Sequence, residues 1–233
     1  MSRPEVWCTR LGLVPYDGAL ELQRRLEAAR LAGLVPDVLL LLEHPPVYTR
    51  GRRSQPGELP MGEAWYLSHG IDVVETDRGG RVTYHGPGQL VGYAVMGIDD
   101  VVAHVRTIER ALVAALADEG LDAHARADEG PDYTGVWVED RKIASIGVHV
   151  ARGVSTHGFA VNVENDLQPF EWIVPCGLEG VRMTSVSSEL RSPAPGILPG
   201  FRETATAAFA DAFGRVPRVV SPVELGIAPL PSR

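Results

Sequence analysis

Five consecutive aliphatic residues, Val38 to Leu42, are closed by Glu43 and His44, and short β-branched or aliphatic runs recur at Val6–Leu11, Ile71–Glu75, Gln89–Met96, Gly135–Val138, Lys142–Val150 and His157–Val163. Each has the length of a strand and turn-forming flanks, so strands are expected there and over Val38–Glu43. Helical spacing appears three times. Leu22, Leu26 and Ala29 precede Gly33; Val105, Ile108, Leu112 and Ala115 follow the candidate caps Asp99 and Asp100 and close at Gly120; Phe201, Ala205, Ala208 and Ala212 precede Gly214. Apolar residues three and four apart share one helix face, and glycine commonly follows a helix end. Three helices among seven strands are too few for regular strand–helix alternation. The pattern predicts an α+β fold, a mixed, largely antiparallel sheet with helices packed on one side.

At 233 residues the chain can bury a core without help from metal or disulfide. A single domain over 1–233 is expected, with its core at about 5–220 and a Pro-rich tail that begins to accumulate proline at Ser192. A composition 45% hydrophobic and 22% charged excludes disorder as the main state. No run approaches the ~18 apolar residues of a spanning helix, and Met1–Glu5 leads into no signal-peptide core. The net charge of −8 argues against nucleic acid or an anionic membrane as a partner, so an acidic partner would have to meet a local basic patch. With only Cys8 and Cys176, a disulfide framework is not expected and a cytoplasmic location is.

Among the 22 basic residues the only lysine is Lys142; the rest are arginine. Under such a bias a retained lysine suggests a use for an amine that can release its proton when desolvated, set against simple survival at an exposed hairpin position. Arg78-Gly79-Gly80-Arg81-Val82-Thr83-Tyr84-His85-Gly86-Pro87-Gly88-Gln89 concentrates glycines that let backbone approach a ligand, although Gly-Gly and Gly-Pro-Gly are also ordinary turn chemistry. It is neither a P-loop nor a dinucleotide fingerprint. Cys176, between Pro175 and Gly177, suits a presented thiol; a lone cysteine is also commonly a small buried hydrophobe, and Cys8 fits that description. His44, His85 and His157 lie at strand or loop ends, where sites are commonly built. Neither HExxH nor CxxC occurs, so no metal is expected.

Taken in order, Leu42-Glu43-His44-Pro45-Pro46-Val47-Tyr48 with Gly51-Arg52, Arg78 to Gln89, Lys142-Ile143-Ala144-Ser145-Ile146-Gly147, and His157-Gly158-Phe159-Ala160 with Asn162 through Pro175-Cys176-Gly177, followed by Thr184-Ser185, resemble the octanoyltransferase family, also called lipoate-protein ligase B. The resemblance implies a fold like that of biotin and lipoate ligases. It implies a catalytic domain that transfers octanoyl from octanoyl-acyl carrier protein to a lysine amine on the lipoyl domains of 2-oxoacid dehydrogenase E2 subunits and the glycine-cleavage H protein, with neither ATP nor metal. No oligomer is implied, and a monomer is expected. By the same resemblance Cys176 is the acyl-thioester nucleophile, and Lys142 lowers its pKa and serves as general acid and base. Arg78 to His85, Ser145 to Gly147 and Gly158 to Ala160 form the acyl pocket, where backbone N–H groups could hold an oxyanion; His44, Arg52 and His157 are secondary candidates. Arg50, Arg52, Arg53, Arg78 and Arg81 are candidates for a basic docking surface, or equally for a solvated loop face. Asp128 to Asp132 and the C-terminus lack family features and are expected to be peripheral.

Two rival readings are an ATP-dependent lipoate or biotin ligase on the same fold and a non-catalytic binder of lipoyl domains or acyl carrier protein. Against them stand Cys176 and Lys142 together and the absence of a GRGRxxRxW loop.

Overall fold

The computed structural model describes residues 3–178, 180–190 and 196–226. Met1, Ser2, the prolines of 191–195 and the last residues of the Pro-rich tail lie outside them.

In chain order the elements are β1 (Glu5–Leu13), α1 (Tyr16–Leu31), β2 (Asp37–Glu43), β3 (Val47–Arg50), α2 (Glu63–Ser68), β4 (Asp72–Glu75), β5 (Thr83–His85), β6 (Gln89–Val95), α3 (Val101–Asp118), β7 (Ala123–Ala125), β8 (Gly135–Val138), β9 (Arg141–Ala151), β10 (Val154–Asn162), α4 (Gln168–Glu171), β11 (Arg182–Met183), α5 (Val186–Glu189), α6 (Leu198–Ala212) and β12 (Val216–Val219). Among the described residues a large sheet runs β12-β1-β2-β6-β10-β9-β8-β7, with β11 against β9, and a small one runs β4-β3-β5. The mixed, mostly antiparallel pairing is that expected from the sequence. The β1–α1–β2 crossover makes its first pair parallel, as a helical connection between neighbouring strands allows.

Helices cover both faces of the large sheet, which corrects the one-sided expectation. Alternate residues of β2 show why: Leu39 and Leu41 join a core with Ile108 and Leu112 of α3 and Phe201 and Phe209 of α6, whereas Val38, Leu40 and Leu42 join one with Ala19, Leu22 and Leu26 of α1. An uninterrupted aliphatic run is the signature of a strand buried on both faces. Val220 and Leu225 enter the α1-side core, so the packed chain extends beyond residue 220.

β3, β5, β7, β11 and β12 are the strands the periodicity did not reveal. Each has only two to four residues, too short for a period-2 pattern to stand out. Asp100 caps α3, its carboxylate accepting from the Val102 and Ala103 N–H groups. Adjacent Asp99 does not supply that cap.

His104 of α3 is buried against Phe213, at 5.2 Å between ring centroids, with neither ring nitrogen partnered among the described residues. Burial lowers its pKa to about 4, and burial likewise lowers that of His44 to about 4. A histidine whose folded-state value is depressed leaves the unfolded chain binding more protons, so stability falls as pH drops from about 6.5 toward 4. Each ring contributes a loss approaching ~3 kcal/mol below pH 4. His104→Leu is expected to flatten that fall, giving a smaller drop in urea midpoint between pH 7 and pH 4.5 than the parent shows.

Candidate active site

Cys176 sits in a 3-10 turn, Pro175–Gly177, with φ of +57°, followed by Gly177 at +69°. Left-handed backbone is costly for a residue with a side chain and persists where the surroundings impose it. Here the Cys176 N–H donates to the Val82 carbonyl at 3.0 Å. A Cβ on Gly177 would lie 2.2 Å from the Arg81 Cδ. Glycine is therefore needed at 177 for both conformation and space.

The Lys142 ammonium donates toward the Cys176 sulfur at 3.4 Å, joining residues 34 positions apart. Lys142 is 1% exposed, which removes the exposed-hairpin reading of the lone lysine. Its Nζ stands 5.2 Å from the centre of the Trp137 ring. Its Cε occupies space that a Cβ on Gly135 would need, at 2.8 Å. A chain of buried hydrogen bonds fixes the backbone beneath it. His85 Nδ1 meets Gln89 Oε1 at 2.7 Å, Gln89 Nε2 donates to Asn162 Oδ1 at 2.9 Å, Asn162 Nδ2 donates to the Thr184 carbonyl at 3.0 Å, and the Thr184 N–H donates to the Lys142 carbonyl at 3.0 Å. Residues of four separated motifs thus form one connected support, of the kind that holds reactive side chains in place.

Cys176 and Lys142 open into a cavity of about 500 Å³. Of the residues expected at the site, Arg78 to Arg81, Thr83, His85, Ser145 to Gly147, His157 and Gly158 to Ala160 line it. Val82 and Tyr84 do not; they pack into the core of the small sheet with Tyr48 and Phe170. Period-2 alternation in β5 explains this, Thr83 and His85 facing the cavity and Tyr84 facing away. Val82 still contributes the carbonyl that holds Cys176. His44 lies one layer back, its Nδ1 at 2.6 Å from the Val14 carbonyl and its Nε2 at 2.7 Å from the hydroxyl of cavity-lining Tyr93. Arg52 is exposed and outside the lining.

Three further expectations change. Gly158 to Ala160 pair with β6 on one side and β9 on the other, so their N–H groups are committed to the sheet and cannot serve an oxyanion. The basic docking surface is largely consumed: Arg50 pairs with Glu75, Arg53 with Asp132, and Arg81 with Glu58 and Asp132. Arg78 is buried, donating to the Thr49 carbonyl and hydroxyl, each at 2.7 Å. Finally, the Asp128 to Asp132 region is not peripheral, since Ala127, Gly130, Pro131 and Asp132 line the cavity.

Tyr16, Tyr93, Val101, Val102, Val105 and Arg106 are lining residues that sequence reasoning did not single out. Val105 sat in a helical pattern whose apolar face reads as core, and Val101 and Val102 lie ahead of that pattern in the first turn of α3. Among the described residues no group of three or more His, Cys, Asp or Glu side chains is placed to hold a metal, and no helix is long and apolar enough to cross a membrane.

The family model of the lipoyl protein ligase A/B catalytic domain matches residues 15–210. An octanoyltransferase of Mycobacterium avium (strain 104) is 49% identical over 201 residues, covering 82% of this chain and 81% of that protein. One from Rubrobacter xylanophilus is 45% identical over 202 residues, covering 82% and 90%. Among solved structures, lipoate-protein ligase A bound with ATP aligns with a TM-score of 0.71 at 20% identity, covering 95% of this chain and 89% of that one. A bipartite lipoate protein ligase from Thermoplasma acidophilum, described with its E2 lipoyl domain, aligns at 0.70 and 17% identity, covering 95% and 88%. These two likenesses show the shared fold. The sequence relatives and the family match go further: the chain belongs to the lipoyl protein ligase A/B catalytic-domain family and, within it, to the octanoyltransferases.

Proposed function

We propose that this acyltransferase moves an octanoyl group from octanoyl-acyl carrier protein, through a thioester on Cys176, to a lysine amine on a lipoyl domain. The Lys142–Cys176 contact at 3.4 Å inside a cavity large enough for the acyl chain carries the reading. The acceptor class follows from the family, whose lipoate ligase member from T. acidophilum was described with an E2 lipoyl domain. Lipoyl domains of 2-oxoacid dehydrogenases and of the glycine-cleavage H protein are the acceptors we infer, and the reducing cytoplasm, which keeps a catalytic thiol free, is the place.

In the first step the Cys176 thiolate, held beside the Lys142 ammonium, attacks the donor carbonyl. A carbon–sulfur bond to Cys176 forms, the bond to the carrier's sulfur breaks, and the departing thiolate takes a proton from Lys142. Thioester replaces thioester, so the step needs no ATP. In the second step the acceptor lysine, having lost one proton to solvent, attacks the Cys176 thioester as a neutral amine. Its next proton goes to the now neutral Lys142, the amide forms, and Cys176 leaves as thiolate. One amine thereby returns to its starting state after each cycle.

Intact-mass measurement after mixing enzyme with octanoyl-acyl carrier protein, without acceptor or ATP, is expected to show one octanoyl group on Cys176. It should be labile to hydroxylamine, discharged by added lipoyl domain and absent from Cys176→Ser. No adduct, together with lipoyl-domain modification from free octanoate and ATP, would assign the chain to ATP-dependent ligation instead.

A further inference from the structure

The left-handed turn that carries Cys176 is anchored at its entry, at the nucleophile and at its exit. At the entry the Val174 N–H donates to the Glu58 carbonyl at 3.0 Å. The Cys176 N–H donates to the Val82 carbonyl, and the Val82 N–H donates in turn to Glu58 Oε2 at 3.4 Å. At the exit Gly177 packs against the Arg81 side chain, whose Nη1 donates to Glu58 Oε1 at 2.8 Å. Every anchor leads back to Glu58, which is 4% exposed and lies between the recognised motifs.

Glu58 closes the 3-10 turn Pro56–Glu58, and its Oε2 also accepts from the Gln55 N–H at 3.1 Å. Both carboxylate oxygens are thus engaged, one by a guanidinium and the other by backbone N–H groups. Burial of a carboxylate is tolerated when it is paired and hydrogen-bonded in this way, and removing it leaves its partners uncompensated. Asp132, the other carboxylate beside Arg81, stands 3.6 Å from Nε and is more exposed. Glu58 does not line the cavity, so its place is behind the nucleophile and not against an acyl group.

A left-handed residue with a side chain persists only where its surroundings over-determine it. Glu58 supplies that constraint through two loops and the Cys176 turn at once. The aim of the thiol matters because Sγ and the Lys142 Nζ are 3.4 Å apart, and a misplacement of ~1 Å can cost about 10²-fold in rate. We infer, resting on the acyl-transfer reading above, that Glu58 is the positioning residue of this site, locking the Pro175–Gly177 turn so that the Cys176 thiol faces Lys142.

The charged groups around the turn are Lys142 from β9, Arg81 with its partners Glu58 and Asp132, and Arg78, whose charge interacts with Cys176. A substitution that keeps the charge constant therefore reads geometry alone. Glu58→Asp does so, because it retains the carboxylate and shortens its reach by one methylene, too little to hold both Arg81 and Val82. Single-turnover acylation of Cys176 by octanoyl-acyl carrier protein is expected to fall 10–100-fold in this variant, with the half-saturating carrier concentration within about threefold of wild type. Iodoacetamide labelling of Cys176, followed by peptide mass against pH, needs no acyl donor. Its profile should move to higher pH, since a thiolate turned away from the ammonium loses stabilisation. Glu58→Gln keeps the length but sets an amide N–H against another donor, and should lose acylation to a similar degree.

Asp37→Asn is the control for a merely structural role. Asp37 is equally buried, at 4% exposed, and binds Arg30, Arg215 and the Gly97 N–H outside the cavity lining. Its urea midpoint should fall while acylation and the labelling profile stay at wild-type values. Acylation by Glu58→Asp within about threefold of wild type, an unmoved labelling profile, or an equal loss in Asp37→Asn overturns the assignment of Glu58. If wild type forms no acyl-enzyme, the acyl-transfer reading fails and the labelling profile alone decides the role of Glu58. If Glu58→Asp does not fold, acylation by Glu58→Gln against Asp37→Asn decides.

Discussion

Lys142→Arg is expected to lower steady-state octanoyl transfer by about 10²–10⁴-fold, the usual weight of general acid–base catalysis. Acylation of Cys176 in a single turnover should fall far less. The reason is chemical. A guanidinium retains the positive charge that stabilises the Cys176 thiolate and the departing carrier thiolate, but it holds its proton so firmly that it cannot accept one from the incoming amine. Local packing adds a steric contribution, because Lys142 is 1% exposed and its Cε is where a Cβ on Gly135 would collide, at 2.8 Å. Rapid-quench mass spectrometry separates the two steps: the variant should accumulate acyl-enzyme that lipoyl domain discharges slowly. Small primary amines added to Lys142→Ala should restore part of the discharge rate. Wild-type turnover in Lys142→Arg would show that the proton moves by another route.

Gly158→Ala should be destabilising at or above the ~3 kcal/mol upper end of ordinary overpacking, or prevent folding altogether. A Cβ at Gly158 would stand 2.2 Å from the Gly92 carbonyl oxygen of β6, and β10 is pinned between β6 and β9. Neither neighbour can retreat without breaking a ladder in the centre of the sheet. Gly92 is no freer, since a Cβ there would fall 2.1 Å from the Phe159 ring. The control is Gly57→Ala, where an added Cβ meets nothing within 4 Å; its urea midpoint should stay within ~0.5 kcal/mol of the parent. A Gly158→Ala midpoint equal to that of the control would show that the sheet yields there.

The two glycines also show what a motif conceals. In the sequence Gly158 reads as part of a His-Gly-Phe-Ala pocket signature with backbone available to substrate. In the structure its N–H belongs to the sheet, and its lack of a side chain serves close strand approach. The same segment places His157 in the cavity through a left-handed dihedral angle that no local residue pattern announces.

Much of the architecture was legible because it rests on local chemistry. Periodicity located the long strands and the three principal helices, Asp100 announced the start of α3, and the aliphatic run at Val38–Leu42 marked a strand at the centre of the molecule. The lone lysine and the Pro-Cys-Gly turn drew attention to the two side chains proposed here as reactive, because amines and thiols are scarce enough in this chain to stand out, while the roles assigned to them came from the family resemblance. Tertiary structure alone decided the rest. Whether a strand is covered on one face or both depends on where distant helices return, as α1, α3 and α6 do here. Whether an arginine is free to meet a partner depends on carboxylates far away in sequence, as Asp132 does for Arg53 and Arg81. The distance between Lys142 and Cys176 and the partition of Val82 and Tyr84 away from the cavity arise from contacts between residues far apart in the chain. Local sequence sets which conformations a segment favours; such long-range contacts are set by packing the whole chain at once.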